Sequence, residues 1–349
     1  MAVLATGQLT LLDWAKRQDP NGSTAAVAEV LSQTNDILED AVFMEGNLPT
    51  GHRVTIRTGL PTVYWRALNQ GVPTSKSTTA QVDEACGMME ARSHVDAKLA
   101  QLNGNTASFR LSEDRAFIEA MNQQQAQTLF FGNPGTDPKQ YLGLASRYSL
   151  GPVSNTVSGQ NVLLAGGGTN GAASGSDNAS IYLVVWGEDT VFCPFPKGST
   201  AGLKHRDLGE EAVSDGNGGF YQALRTLFQW DSGLVVRDWR YVVRIANIDV
   251  SDWLGVTGTQ APTAGTNAIK MMSRALDRIP NFSLGRAAFY MNRSLYSGLR
   301  LQALERSQNV LTIDKALTQF GTSANWLSFQ GVPLRKVDAM GIAETGVTP

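Results

Sequence analysis

The chain has 349 residues, of which 42% are hydrophobic, so it can bury a sizeable core in one large or two smaller domains and is not disordered throughout. Its 29 basic and 31 acidic residues give a net charge of −2, which excludes the strong, salt-dependent nucleic-acid binding of a basic protein. Two cysteines are too few for a disulfide framework, and no stretch is apolar enough to span a membrane. We therefore expect a soluble, cytoplasmic protein.

Residues 1–48 carry short helical patterns separated by turn residues. Leu11–Ala15 is one such pattern, Asp19–Gly22 interrupts it, and Ser23 can cap a second one. Neither is long enough to form a core alone, so we expect them to pack against this chain or another copy of it. We predict an extended arm, with a small helical subdomain as the alternative.

From Gly51 the hydrophobic period changes to that of a strand, and Thr62–Leu68 is rich in β-forming side chains. If Ser77–Met88 returns antiparallel after a polar tip at Asn69–Lys76, the result is a long two-stranded ribbon. An isolated ribbon is only marginally stable in water, so it needs a partner surface. The alternative, which the sequence leaves open, is a helix that carries on one face Val82, Ala85, Cys86 and Met89.

The segment from Ser112 to Gly132 has clear start and stop signals for one helix. Ser112 can cap its first turn, two acidic residues follow at the positive end of the dipole, and Gly132 ends it. The apolar stripe is narrow and the centre is Asn122–Gln125, so this helix does not suit the middle of a core. We predict a surface helix with one side available to neighbours; an amphipathic surface helix of a monomer is the alternative.

Later segments predict strands. Ile181–Trp186 is an apolar, β-branched run typical of a buried strand, and Val191–Gly198 predicts a short strand and turn. In Asp238–Ile245, alternation places aromatic and aliphatic residues on one face, and Arg240 and Arg244 on the other. We expect the first face to be core and the arginine face to contact another subunit or domain.

The last part of the chain alternates between helix and strand patterns. A helix starts near Thr266 and ends before Pro280, a strand covers Ala287–Met291, and Asn292 can cap a second helix. Trp326–Val337 supplies further strand material with a Gly-x-Pro break. This alternation predicts a small α+β domain.

A search for chemical motifs yields one formal match. Gly166–Gly171 satisfies G-x-G-x-x-G, but the segment that follows is a poor helix former, which favours a surface loop over a dinucleotide site. The three histidines are too widely spaced to suggest a metal site, and Cys86 and Cys193 are expected to be small packed hydrophobes. We predict no catalytic, cofactor-binding or metal-binding residues.

Taken together, several segments resemble the major capsid proteins of short-tailed double-stranded DNA bacteriophages. The resemblance is carried by the arm, the ribbon, the Gln-rich helix and four further segments: Trp186-Gly187, Pro196-Lys197-Gly198, Trp239–Asn247 and Phe329–Pro333. It implies the Hong Kong 97 phage-type capsid fold, an α+β fold with an N-terminal arm, an extended E-loop hairpin, a spine helix at about 112–131, and peripheral and axial domains. The late position of the Phe-x-Gly-x-Pro segment resembles the permuted strand order of some short-tailed phages.

Carried over by position, the resemblance implies an N-terminal arm (1–50), an E-loop (51–90), a peripheral domain with the spine helix (91–140), a first part of the axial domain (141–195), the peripheral-domain strands (196–255) and a second part of the axial domain (256–349). It implies a non-enzymatic shell subunit that self-assembles into pentamers and hexamers of an icosahedral head enclosing double-stranded DNA. The implied partners are other copies, decoration, scaffold and portal proteins and, weakly, the packaged DNA, with no cofactor and no membrane. The implied location is the virion capsid, after synthesis in the host cytoplasm.

The residues that we expect to form intersubunit contacts are Arg53, Arg57, Trp65, Arg66 and Lys76 on the ribbon, and Arg240 and Arg244 on the later strand. Solvated arginines are the alternative, because exposed ion pairs contribute little stability. Two rival functions stay open. One is an encapsulin-like compartment that holds proteins instead of DNA, and the other is a nucleotide-dependent oxidoreductase that uses Gly166–Gly171.

Overall fold

The computed structural model describes residues 9, 13, 31–104, 106–151, 158–173, 175–215, 218–254, 263–305, 311–317 and 323–349. The predicted helical patterns at Leu11–Ala15 and after Ser23 lie outside these residues, apart from residue 13, which is helical. The described residues form a mixed α+β structure with two sheets and one long helix, and the predicted α+β class is confirmed.

In chain order the helices are α1 (Ile37–Asp40), α2 (Ala97–Gln101), α3 (Thr106–Phe131), α4 (Leu144–Arg147), α5 (Val250–Leu254), α6 (Thr263–Arg278) and α7 (Arg293–Glu305). The strands are β1 (Phe43–Glu45), β2 (Gly51–Gly59), β3 (Thr78–Asp96), β4 (Val162–Leu164), β5 (Asn178–Trp186), β6 (Val191–Phe195), β7 (Lys204–Ser214), β8 (Phe220–Gly233), β9 (Val235–Val236), β10 (Val242–Asp249), β11 (Arg286–Met291), β12 (Leu311–Leu317), β13 (Ser323–Phe329) and β14 (Val332–Lys336).

The larger sheet contains the main core. Its path is β1-β6-β5-β11-β14-β13-β12, with β10 against β5 and β4, and β9 against β6. Every residue of β5 is buried, as expected for an apolar, β-branched strand inside a sheet that is covered on both faces. The predicted strand at Ile181–Trp186 and the predicted short strand and turn at Val191–Gly198 are therefore confirmed.

The second sheet has the order β2-β3-β8-β7 and carries the ribbon. β2 and β3 pair antiparallel with Val54 opposite Val82, which confirms the ribbon and excludes the helical alternative. Residues 60–77, which we call the distal ribbon, form no strand and are exposed throughout. Thr62–Leu68 thus has β-forming side chains without β-structure, because within the described part of the chain no strand pairs with it.

The long helix α3 lies against this second sheet and runs for 26 residues, about 39 Å. Its end before Gly132 is confirmed, but its predicted start at Ser112 is wrong by six residues. Phe109 is buried with Val95 and Ala100, and this packing extends the helix toward its N-terminus past the local capping signal at Ser112. At Gly132 a Cβ atom would lie 2.4 Å from the carbonyl oxygen of Tyr141, so glycine is required there by close approach.

The prediction of a core face and an arginine face for Asp238–Ile245 is wrong. Trp239–Tyr241 forms a 3₁₀ turn, and β10 begins only at Val242. From Val242 to Ile248 every residue of β10 is buried, including Arg244. The physical reason is that α6 packs against the strand while residues of the C-terminal segment, 338–349, bond to Arg244 and Asn247, so neither face is left for solvent.

The predicted helix–strand–helix unit is confirmed as α6, β11 and α7. The first helix begins at Thr263, three residues before the predicted start, and the cap of α7 is present, since Asn292 Oδ1 accepts a hydrogen bond from the Ser294 N–H at 2.8 Å. β13 and β14 are joined by a tight turn in which Gly331 has a φ of +84°. Gly166–Gly171 forms a short irregular turn with no helix after it through Ala173, which agrees with the surface-loop prediction.

Candidate intersubunit surfaces

The distal ribbon is the most exposed apolar segment in the described part of the chain. Its outward side chains include a tryptophan, a tyrosine, two leucines and two valines: Leu60, Val63, Tyr64, Trp65, Leu68 and Val72. Trp65 has the full accessibility of an extended chain, at 103%. A monomeric protein rarely exposes a contiguous apolar surface of this kind, so it indicates a contact site.

The part of the ribbon between Val54 and Val82, which includes the distal ribbon, is positively charged. Between Val54 and Val82 the sequence contains three basic residues, Arg57, Arg66 and Lys76, and no acidic residue. Arg57 and Lys76 are exposed, and neither takes part in an ion pair within the described residues. Arg66 Nε donates to the carbonyl oxygen of Gln70 at 2.8 Å. A surface that covers the distal ribbon therefore needs apolar groups and hydrogen-bond acceptors or acidic groups.

The other predicted contact residues lie elsewhere. Arg53 makes a two-pronged ion pair with Asp83 on the neighbouring strand, at 2.6 and 2.7 Å, and the hydrogen bond from Arg53 lowers the pKa of Asp83. Arg53 thus holds the two strands of the ribbon together. Arg240 pairs with Asp238, two residues before it, at 2.6 Å. The side chains of Arg53 and Arg240 remain partly exposed, so their contact with another subunit stays a prediction.

Arg244 is in the interior and is fully engaged by its own chain. Its Nη2 pairs with Glu344 at 2.9 Å, its Nε donates to Ser180 Oγ at 3.1 Å, and its Nη1 donates to the carbonyl of Tyr148 at 3.0 Å. The side chains of Arg244 and Glu344 are only 5% and 6% exposed. The expectation of an intersubunit contact at Arg244 is corrected here, because the guanidinium ties β10 to the C-terminal segment instead.

The base of the ribbon is fixed by a buried ion pair that sequence reasoning missed. β3 changes its partner there: Ala85 pairs with Gly51 of β2, whereas the next residue pairs with β8. Arg147 donates to both carboxylate oxygens of Glu84, each at 2.6 Å, and to the carbonyl of Leu234 at 3.0 Å. Because the pair is mostly buried and joins residues 63 positions apart, it has no local sequence signal. It joins the base of the ribbon to α4 and to the residue before β9.

The polar centre of α3 contacts residues 31–33 near the start of the described chain. Gln123 Nε2 donates to the carbonyl of Leu31 at 2.7 Å and to Glu119 Oε1 at 2.8 Å. The same Glu119 oxygen accepts the backbone N–H of Gln33 at 2.9 Å. Gln123 thus contacts residues 31–33 of its own chain, whereas the buried Gln125 donates to Ser232 Oγ at 2.8 Å, so polar side chains on different sides of the helix narrow its apolar stripe.

Replacing Gln123 with alanine is expected to loosen residues 31–34 without unfolding the subunit. One hydrogen bond to a backbone carbonyl is lost, which costs about 1 kcal/mol and corresponds to about a fivefold larger opening constant. Amide hydrogen exchange at Gln33 and Thr34 measures it. The matched control is Gln124→Ala, because Gln124 donates to Thr128 within the helix. Equal exchange in the two variants would contradict the assigned contact.

The described residues give evidence about a metal site, a reactive cysteine and a membrane-spanning helix. They contain no group of three His, Cys, Asp or Glu side chains arranged to hold a metal ion. Burial raises the pKa of the Cys86 thiol to about 11, so the sulfur stays protonated at neutral pH and is a poor nucleophile. In the same part of the chain, none of the helices combines the length and the apolar character that crossing a bilayer requires.

Comparison with known proteins gives two clear similarities. A family model described as major capsid protein GP7 matches residues 19–348. A chain in the near-atomic-resolution structure of bacteriophage Epsilon15 is 34% identical, with a TM-score of 0.74 over 100% of both chains. No curated protein matches the chain.

More distant structures are similar at lower scores. The capsid of bacteriophage JBD30 is 10% identical over 90% of this chain and 95% of that chain, with a TM-score of 0.48. An encapsulin complex from Synechococcus elongatus is 12% identical over 68% of this chain and 96% of that chain, with a TM-score of 0.42. Both likenesses are too weak to support a conclusion.

The oxidoreductase alternative has no support, because the Gly166–Gly171 turn lacks the helix that a dinucleotide site needs. The encapsulin alternative is less well supported than the capsid interpretation, since the matching family model is that of a major capsid protein. The predicted Hong Kong 97 phage-type capsid fold is confirmed, and the protein is a structural component of a phage shell. The chain belongs to the GP7 family of major capsid proteins.

Proposed function

We propose that this subunit assembles into the pentamers and hexamers of an icosahedral phage head that encloses double-stranded DNA, and that it does so without catalysis. The observation that carries the proposal is the distal ribbon, whose apolar side chains have no cover within the described part of the chain. Burying each such side chain fully is worth about 1.5–3 kcal/mol. A contact repeated around a closed ring adds this gain at every subunit.

We assign a separate role in assembly to each part of the subunit. The ribbon and the arm reach neighbours, the α3 helix and the β2-β3-β8-β7 sheet form a stiff plate, and the larger sheet forms the body that meets other copies around the symmetry axis. We keep the division into an arm, an E-loop, and peripheral and axial domains, with one change: β9 and β10 lie in the larger sheet, so we assign residues 235–249 to the axial body and not to the peripheral strands. The exposed Arg57, Trp65, Arg66 and Lys76 are the contact residues that we retain, together with the partly exposed Arg53 and Arg240.

The proposal extends to partners and location. A net charge of −2 suits a container whose lining touches packaged DNA only weakly, because a strongly basic lining would bind the phosphate backbone along its length. Portal, scaffold and decoration proteins are the additional partners that such a shell uses. Synthesis takes place in the host cytoplasm, and the finished protein resides in the virion capsid.

Electron microscopy of the purified full-length protein tests the proposal. We expect closed shells with fivefold and sixfold clusters and, in particles from infected cells, nucleic acid inside. A chain that stays monomeric at high concentration, with or without a co-expressed scaffold protein, would overturn the proposal. Shells that enclose a specific protein and no nucleic acid would favour the encapsulin-like alternative.

A further inference from the structure

The base of the ribbon contains a histidine whose surroundings the shell function does not explain. His52 lies in β2 directly opposite Glu84 of β3. Both of its ring nitrogens are buried and have no hydrogen-bond partner. The ring packs edge-on against Phe192 of β6, with centroids 5.2 Å apart and planes at 87°. The pocket therefore accepts the imidazole as an apolar, uncharged ring.

The charges around this ring are already paired. Glu84, which lies opposite His52 across the ladder, accepts hydrogen bonds from Nη1 and Nη2 of Arg147. Arg237, which follows β9, pairs with Asp189 at 2.9 Å, and its guanidinium carbon lies 5.9 Å from the Phe192 ring centre.

On the ribbon strands themselves, the residue after His52 is Arg53, whose charge is paired with Asp83. The facing residue of β6, Phe192, carries no charge. If His52 were protonated, the resulting imidazolium ion would have no unpaired carboxylate among its described neighbours. In agreement, burial and the nearby charge of Arg237 lower the pKa of His52.

We propose that His52 makes the base of the ribbon a proton-sensitive joint, so that mild acid loosens the pairing of β2 with β3 and releases the direction of the ribbon. The inference rests on the proposed function, because the direction of the ribbon matters only if the ribbon contacts a neighbour. Its basis is the position of a half-buried imidazole, whose two ring nitrogens are buried and without a partner, next to the point where β3 exchanges β2 for β8.

Protonation disrupts the joint by either of two routes. An imidazolium ion has two N–H donors, and both need acceptors that the closed joint does not offer. If the ring turns toward water, its contact with Phe192 is lost. If it turns toward Glu84, it competes with Arg147 for the carboxylate that anchors the ribbon. Both movements separate β2 from its neighbours.

The direction of the pH effect follows from proton linkage. In the closed joint the pKa of His52 lies below its ordinary value of about 6.5, so the open joint binds the proton more tightly. The stability that neutral His52 contributes to the closed joint is present in full well above pH 6.5, and it is lost progressively as the pH falls through 6.5 toward the lower pKa of the closed joint. If the closed form does not titrate, the opening constant rises about tenfold between pH 7.5 and pH 5.5.

Amide hydrogen exchange of the full-length protein tests this inference. After correction for intrinsic exchange rates, the amides of β2 in the wild type are expected to open about tenfold more readily at pH 5.5 than at pH 7.5, while the amides of β5 show no such change. His52→Leu, which keeps an apolar side chain and cannot bind a proton, is expected to abolish the pH dependence. His52→Gln serves the same purpose if the leucine variant does not fold.

The same pH response in these variants as in the wild type would overturn the proposal, and so would a wild-type β2 that opens equally at both pH values. The readout is independent of assembly. A failure to form shells at either pH would count against the proposed function, whereas the exchange of β2 would still decide whether the joint senses protons.

Discussion

Replacing Trp65 with serine is expected to leave the subunit folded and to raise the concentration needed for shell assembly by at least about 30-fold. The side chain is fully exposed in the subunit, so its removal costs the isolated fold almost nothing. In an interface, a buried tryptophan is a typical hot spot whose truncation costs about 2 kcal/mol or more, which is about 30-fold in an equilibrium constant. Light scattering during assembly, at a series of protein concentrations, measures the change.

The control for this prediction is Gln70→Ser, a change in the same exposed segment. Gln70 takes part in the ribbon tip through its backbone carbonyl, which accepts from Arg66, so the substitution keeps that contact. We expect this variant to assemble as the wild type does. Deleting residues 69–76 is the stronger version of the test and should give a folded subunit without stable shells. Normal assembly of both the Trp65 variant and the deletion would show that the distal ribbon is not an interface.

Replacing Arg244 with methionine is expected to lower the free energy of unfolding by about 3–5 kcal/mol, because Glu344 would be left charged and buried without its partner. The guanidinium also satisfies the carbonyls of Ala145 and Tyr148, and these would lose a donor. Urea unfolding followed by tryptophan fluorescence measures the loss.

The double variant Arg244→Met with Glu344→Leu separates the ion pair from the packing. Removing both charges leaves no uncompensated ion in the interior, so part of the stability should return. The matched control is Arg240→Met, since Arg240 is half exposed and pairs with Asp238, and such pairs contribute at most about 1 kcal/mol. If Arg240→Met and Arg244→Met cost the same, Arg244 does not have the interior role assigned here.

The two arginines show why sequence patterns alone misplaced one of them. Alternation along a strand tells which residues share a face, but it does not tell whether that face is covered. Arg244 is covered by Glu344, which lies 100 residues later in the chain. No local sequence pattern indicates this contact. The same applies to Glu84 and Arg147 at the ribbon base, which are joined only by the fold.

The first strand of the ribbon and its polar tip were predictable because their signals are local, starting with the alternation at Gly51. The return strand was not, because Val82, Ala85, Cys86 and Met89 also fit one face of a helix, and only the pairing of β3 with β2 decides between the two. The segment Thr62–Leu68 shows the limit of that reasoning, since β-forming residues form a strand only where another backbone can pair with them. The early start of α3 has a similar cause, because burial of Phe109 outweighs the cap at Ser112.

Cryo-electron microscopy of the assembled shell tests the central claim most directly. We predict that residues 60–77 of each subunit extend across an adjacent copy, with Trp65 buried in the contact and Arg57, Arg66 or Lys76 next to acceptors of that copy. A shell in which the same residues fold back on their own subunit, or remain exposed to solvent, would contradict the claim that this surface exists to join one subunit to the next.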